Sequence, residues 1–203
     1  TMSAAAAGDR ETGSALGRFW RVPARLLLAC MAGCWGVVLT VWIPASVAMP
    51  LMRDQGIFAW VGQTILRGGV PFRDAWEVKG PVVHLLYALA FLLFGPYEGA
   101  VRVFHLLNLA LFAWAAYALL DGRPGRAPAT LIATALAALA TGGDPWNTAQ
   151  PDEWAGIWMV AALALVWRPS FSGAPVLAGV LLGSMAAFKP PYALFAFVLL
   201  PAA

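Results

Sequence analysis

The sequence predicts an all-α protein: a polytopic bundle of transmembrane helices with short juxtamembrane helices in its first external loop. Three observations lead there. The chain is 61% hydrophobic and 11% charged, with mean hydropathy +0.74, whereas a soluble domain carries about 25% charged residues. Apolar runs of membrane-spanning length recur along it, with charge gathered at their ends. One dense polar run, RDQGIFAWVGQTILRGGVPFRDAWEVKGP from Arg53 to Pro81, separates the first of these from the rest and holds Arg53, Asp54, Arg67, Arg73, Asp74, Glu77 and Lys79. Solubility does not explain charge kept together at a membrane edge, so this loop is where function is expected.

Residues 1–17 are small and polar and are expected to be disordered and cytoplasmic. Arg18, Arg21 and Arg25 precede Leu26 to Met49, an apolar stretch long enough for a bilayer, which needs about 20 residues. It exceeds an ordinary signal-peptide core, although Ser46-Val47-Ala48 resembles a cleavage site. Ile57 to Leu66 reads as a short interfacial helix, with Ile57, Val61 and Ile65 on one apolar face. Gly68-Gly69 ends it and Pro71 prevents its resumption. Val82 to Phe94, 13 residues interrupted by His84, has the length of a re-entrant or interfacial helix. Further spans are expected over Ala100–Leu120, Ala127–Thr141, Trp154–Trp167, Ala174–Phe188 and from Tyr192 onward.

Charge sets the topology. If Val82 to Phe94 does not cross, Arg10, Arg18, Arg21, Arg25, Arg123, Arg126 and Arg168 lie inside, seven of the 13 Lys and Arg residues. The loop, Asp144, Asp152, Glu153 and Lys189 then lie outside. The crossing alternative puts six inside, so the positive-inside rule and the segment length favour the first scheme. The same scatter of basic residues argues against a nucleic-acid surface despite a pI near 9.2. The chain starts Thr1-Met2 and stops at FAFVLLPAA, which reads as the N-terminal portion of a larger membrane protein, residues 18–203 forming part of its transmembrane module.

Cys30 and Cys34 are four apart in the first apolar segment and read as small buried residues on one face. His84 and His105 read as satisfied core histidines, with no Cys or second His to make a zinc site. Asn108 lies mid-span and is expected to hydrogen-bond between helices. Gly179 and Gly183 form a small-residue pair of the kind used in helix packing.

The site candidates are charged. Asp54, at the exit of the first span, is placed either as a general base for an acceptor hydroxyl or as a helix cap. Arg73 and Lys79 suit a phosphate at headgroup level, with Asp74 pairing or orienting them and Glu77 between them; a salt-bridged loop on anionic lipid has the same composition. Arg102 either snorkels to the interface or reaches that phosphate, snorkelling being the plainer expectation. Asp152 and Glu153 open a helix, where the macrodipole favours them. With Lys189-Pro190-Pro191 they bring acid and base from separate outer loops toward one region.

Asp54-Gln55-Gly56, then ILRGGVPFRDAWEVKGP, then LLYALAFLLFG, then a span opened by Arg102, resembles the membrane glycosyltransferases of the GT-C type, in the branch similar to protein O-mannosyltransferases and lipid A aminoarabinose transferases. The resemblance runs over about residues 26–190 and is most specific between 53 and 102. It implies a GT-C-like bundle in the inner membrane, with the cytoplasm at its N-terminus. It implies a polyprenyl-phosphate-linked sugar as donor and an acceptor hydroxyl, amine or lipid group on the extracytoplasmic side. By position, Asp54 corresponds to the family's catalytic base, Lys79 to the lysine on the donor phosphate, Asp74 to the acid of an aromatic-Arg-Asp element, and Asp152 or Glu153 to a further external acid. Where the family commonly has Asp-Glu, this chain has Asp54-Gln55, so no metal or other cofactor is indicated.

Such chemistry needs a base on the acceptor and cations on the departing phosphate, which Asp54 and Lys79, with Arg73 or Arg102, would supply. The rival reading is a transporter or lipid-binding membrane protein, which calls for charge buried at mid-membrane. A third, a structural assembly subunit, calls for small-residue faces without a polar loop.

Overall fold

The computed structural model describes residues 21–143, 148–195 and 197. The expected disordered stretch 1–17, Arg10, Arg18, Asp144 and nearly all of the chain beyond 195 lie outside the described residues. Among the described residues the regular secondary structure is helical, with one isolated bridge between Pro71 and Ala75. The described chain divides into two compact units, one ending at Val37 and the other beginning at Val38.

In the first unit, helix α1 covers Arg21–Val37. Cys30 and Cys34 are exposed on it rather than buried, because their apolar neighbours on the same helix form a surface and not a packed core. In the second unit a π-helical turn, Val38–Trp42, leads into α2, Ile43–Ala48. The apolar run Leu28–Ala48 has 21 helical residues, long and apolar enough to cross a membrane.

Helix α3, Arg53–Leu66, begins four residues before the expected Ile57, and α4 covers Pro81–Phe94. Each has 14 residues, about 21 Å at 1.5 Å per residue, against a hydrocarbon core of about 30 Å. The buried face of α3 is Gln55, Phe58, Ala59, Val61 and Gly62. The expected stripe through Ile57 and Ile65 is only half-buried, because α3 presses its Phe58 side onto α4. Gly62 permits that approach: a Cβ there would stand 2.9 Å from the Ala88 amide nitrogen.

Helix α5, Glu98–Leu119, has 22 residues and is the second helix long and apolar enough to span. Helices α6, Arg126–Gly143, α7, Pro151–Trp167, and α8, Ala174–Phe188, follow, then a 3-10 turn at Pro190–Phe195; most of the span expected from Tyr192 onward lies outside the described residues. Pro190 and Pro191 lack the amide hydrogens that an α-helix would need.

The core has two parts. At one level Trp154 packs against Tyr87 and Phe104, each at 5.8 Å between ring centroids, and against Phe188 at 6.4 Å, tying α4, α5, α7 and α8 together. At the other, Ala115, Ala161 and Ala164 let α5 and α7 approach closely, while Ala162, Leu165, Ala174 and Ala178 close α7 onto α8. The Trp158 indole donates to Asn108 Oδ1 at 2.8 Å, the interhelical bond expected of Asn108. Gly179 and Gly183 instead face open space, and α7 packs elsewhere on α8.

Candidate functional site

The site is built around the backbone of Thr148 and Ala149, just before α7. Gln55, in the first turn of α3, is fully buried and its side-chain amide is used at both ends. Its Oε1 accepts from the Met52 amide and from Arg102 Nη2, both at 2.9 Å. Its Nε2 donates to the Thr148 carbonyl and, at 3.2 Å, to Thr148 Oγ1. The helix-capping part open to Asp54 in the sequence therefore falls to Gln55, which reaches back from the third helical position to the residue before the helix.

Arg102 lies near the start of α5, and its guanidinium is 1% exposed. It turns inward rather than snorkelling. It donates to Gln55, to Thr148 Oγ1 and, at 3.0 Å, to the Pro50 carbonyl. No carboxylate lies within ion-pair distance of it among the described residues. Burying a guanidinium is costly unless its donors are met; here neutral oxygens from three segments meet its two terminal nitrogens, while Nε finds no partner among the described residues.

Ala149 has φ +57°, unusual for a residue with a side chain. Two bonds hold it there. Its amide donates to Glu153 Oε2 at 2.8 Å, and Tyr87 Oη donates to its carbonyl at 3.1 Å. Burial pushes the Tyr87 phenol well above its ordinary pKa, so it remains a donor. Arg102, Glu153 and Asp54 all act on it electrostatically. Glu153 also lies 3.3 Å from Nδ1 of the fully buried His105. Neither nitrogen of His105 finds a hydrogen bond among the described residues, contrary to the expectation of a satisfied core histidine.

A second junction joins two basic turns. The Gly80 amide donates to the Phe188 carbonyl at 3.1 Å, so Lys79-Gly80-Pro81 abuts Lys189-Pro190-Pro191. A Cβ on Gly80 would stand 1.7 Å from the Ala187 carbonyl oxygen, a position only glycine can fill. Lys189 Nζ binds both Asp152 oxygens at 2.6 Å. Lys79 uses its amide on Glu77 Oε1 at 3.2 Å, and its ammonium meets no partner among the described residues.

The Gly-Gly-Pro stretch makes a small closed turn. Phe72 N donates to Ala75 O at 2.8 Å, and the Asp74 carboxylate accepts from Val70 N at 2.7 Å. Arg73 holds Asp74 through two bonds, at 2.9 and 2.7 Å, and this guanidinium, with the Val70 amide, keeps the Asp74 carboxyl down at about 2. Phe72, at φ +67°, lays its ring edge-on to buried His84, which Phe58 also contacts, at 5.8 Å between ring centroids.

The structure thus brings together Glu153, Asp152, Lys189, Arg102 and Lys79 from turns far apart in sequence. Asp54 is adjacent, exposed on the first turn of α3, with no hydrogen bond or ion pair among the described residues. Arg73 and Asp74 pair with each other at the surface. Gln55, Tyr87, His105 and Thr148 are participants that sequence reasoning missed. A polar residue spaced with Phe58, Ala59 and Gly62 on one helical face was the available signal for Gln55. Among the described residues no three His, Cys, Asp or Glu side chains come together as a metal site requires. Set beside known proteins, the chain matches no family model, no curated protein and no solved structure.

Proposed function

We propose that the chain is part of a GT-C-type membrane glycosyltransferase, which moves a sugar from a polyprenyl-phosphate carrier to an acceptor hydroxyl on the extracytoplasmic face. In this reading the bundle is multi-pass, the N-terminus is cytoplasmic and α4 lies at the outer surface without crossing. The observation that supports it most is the meeting of two Lys-x-Pro turns, through Gly80 and Phe188, beside the Asp152–Lys189 pair and the clasped segment 148–149. Scattered surface charge has no need of a glycine that fits only against a carbonyl.

The chemistry follows from the residue types. The acceptor oxygen attacks the anomeric carbon, and its proton passes to the Asp54 carboxylate, a step worth about 10²–10⁴-fold for a positioned base. The bond from the anomeric carbon to the phosphate oxygen breaks on the opposite face, and the phosphate leaves with the electron pair. Lys79, with Lys189 on the adjoining turn, offsets the charge that develops there. A single displacement inverts the anomeric centre.

The test is transfer of labelled sugar from a polyprenyl-phosphate donor pool in membranes expressing the protein, with Asp54→Asn and Lys79→Ala at matched protein levels. Loss of transfer in both is expected. Undiminished transfer by Asp54→Asn removes Asp54 from the role. Unchanged turnover of lipid-linked sugar in all three selects the transporter reading.

A further inference from the structure

Between α3 and α4, two shallow depressions of about 430 and 580 Å³ run together, sharing Gln63, Phe91 and Pro96. The larger is lined by Gln63, Leu66, Arg67, Phe91, Leu92 and Pro96, so that an amide and a guanidinium border an apolar trough. No acceptor meets the Arg67 guanidinium among the described residues. Glu98 lines the smaller depression, so an anion is better accepted in the larger one, where Arg67 lies.

The surroundings are those of an interfacial element. On α4, Leu85, Leu89, Leu92 and Leu93 are 51%, 40%, 70% and 58% exposed, one face repeating every three to four residues. Trp60 of α3, 52% exposed, stands over the same groove. Helices of this length with such a face lie along a membrane surface, and Trp prefers that depth.

From its chemistry, an unmet cation bordering an apolar trough, we infer that the groove between α3 and α4 docks one anionic phospholipid, its phosphate on Arg67 and Gln63 and its acyl chain along Leu66, Phe91 and Leu92. A purely apolar helix face would leave Arg67 unmet, and a zwitterionic lipid brings an ammonium with its phosphate. The site is separate from the proposed transfer chemistry and does not depend on it.

The test is native mass spectrometry of the protein extracted from vesicles of equal phosphatidylglycerol and phosphatidylcholine. One retained phosphatidylglycerol per chain is expected, preferred about fivefold, as one basic residue gains at an anionic surface. Arg67→Gln brings the two lipids to parity, Arg67→Lys keeps the preference, and Leu92→Trp, filling the trough, abolishes retention. Arg123→Gln, in the turn between α5 and α6, leaves retention unchanged. Absence of retained lipid in the wild type overturns the inference, as does equal retention by wild type, Arg67→Gln and Leu92→Trp. Asp54→Asn is expected to retain the lipid whether or not it transfers sugar, which separates this site from the catalytic proposal.

Discussion

Gln55 Oε1 and Arg102 Nη2 meet at 2.9 Å across 47 positions of sequence, and both are buried. The contact fastens the start of α3 to the start of α5, with Thr148 held between them. Asp54 is the residue immediately before Gln55, so the clasp fixes the backbone that carries the proposed base.

Gln55→Leu keeps the volume but removes both ends of the amide, leaving Arg102 and Thr148 short of partners. The expected cost is about 1.5–3 kcal/mol, as for hydrogen bonds to charged groups. Arg102→Met is also destabilising, and the double variant costs less than the two singly, with a coupling of about 0.5–3 kcal/mol. Denaturant unfolding of the protein in detergent, followed by far-UV circular dichroism, measures the cycle. Strict additivity would show that the two side chains do not act together.

Gln55→Glu is a sharper probe. The carboxylate keeps the acceptor for Arg102 and Met52 but cannot donate to the Thr148 carbonyl. Two acceptors then face each other, so the segment 148–149 is expected to exchange its amide hydrogens faster while α3 stays protected. Hydrogen exchange resolved by peptide reads this directly.

Gly80→Ala is expected to separate the two basic turns. Its Cβ would lie 1.7 Å from the Ala187 carbonyl oxygen, and backbone cannot yield as a flexible side chain does. Overpacking of this kind costs about 1–3 kcal/mol. The unfolding midpoint falls, and on the proposed function transfer falls with it, whereas Gly56→Ala, with open space around it, keeps both.

The turn over His84 is expected to loosen in acid. Burial pulls the His84 imidazole below its ordinary 6.5, outweighing the Glu77 carboxylate and the Lys79 backbone that face it. A depressed folded-state pKa means that protonation favours the open form. Stability is complete above about 6.5, the unfolded value, and is lost as pH falls below it. Asp74, held at about 2 by Arg73 and the Val70 amide, stays ionised throughout that window and is not the source. Exchange of the Phe72 and Asp74 amides, corrected for intrinsic rate, is expected to speed up between about pH 7.5 and 5 and to lose that dependence in His84→Gln.

What the sequence determined was set by local chemistry. Apolar runs with charged ends gave helices, with Ala174–Phe188 matched end to end; Gly68-Gly69 and Pro71 stopped α3; and Asn108, polar within a span, found its partner on a neighbouring helix. Which polar groups are buried was decided by packing between distant segments. Gln55 and Glu153 resemble ordinary helix-start residues until α5 and the turn before α7 close over them, and Arg102 turns inward only because the Gln55, Thr148 and Pro50 oxygens converge to replace water. Gly80 reads as part of a common Lys-Gly-Pro turn, and only the nearness of the Ala187 carbonyl makes its missing side chain necessary. Periodicity reports which face of a helix is apolar, but the choice of neighbour is a property of the whole chain.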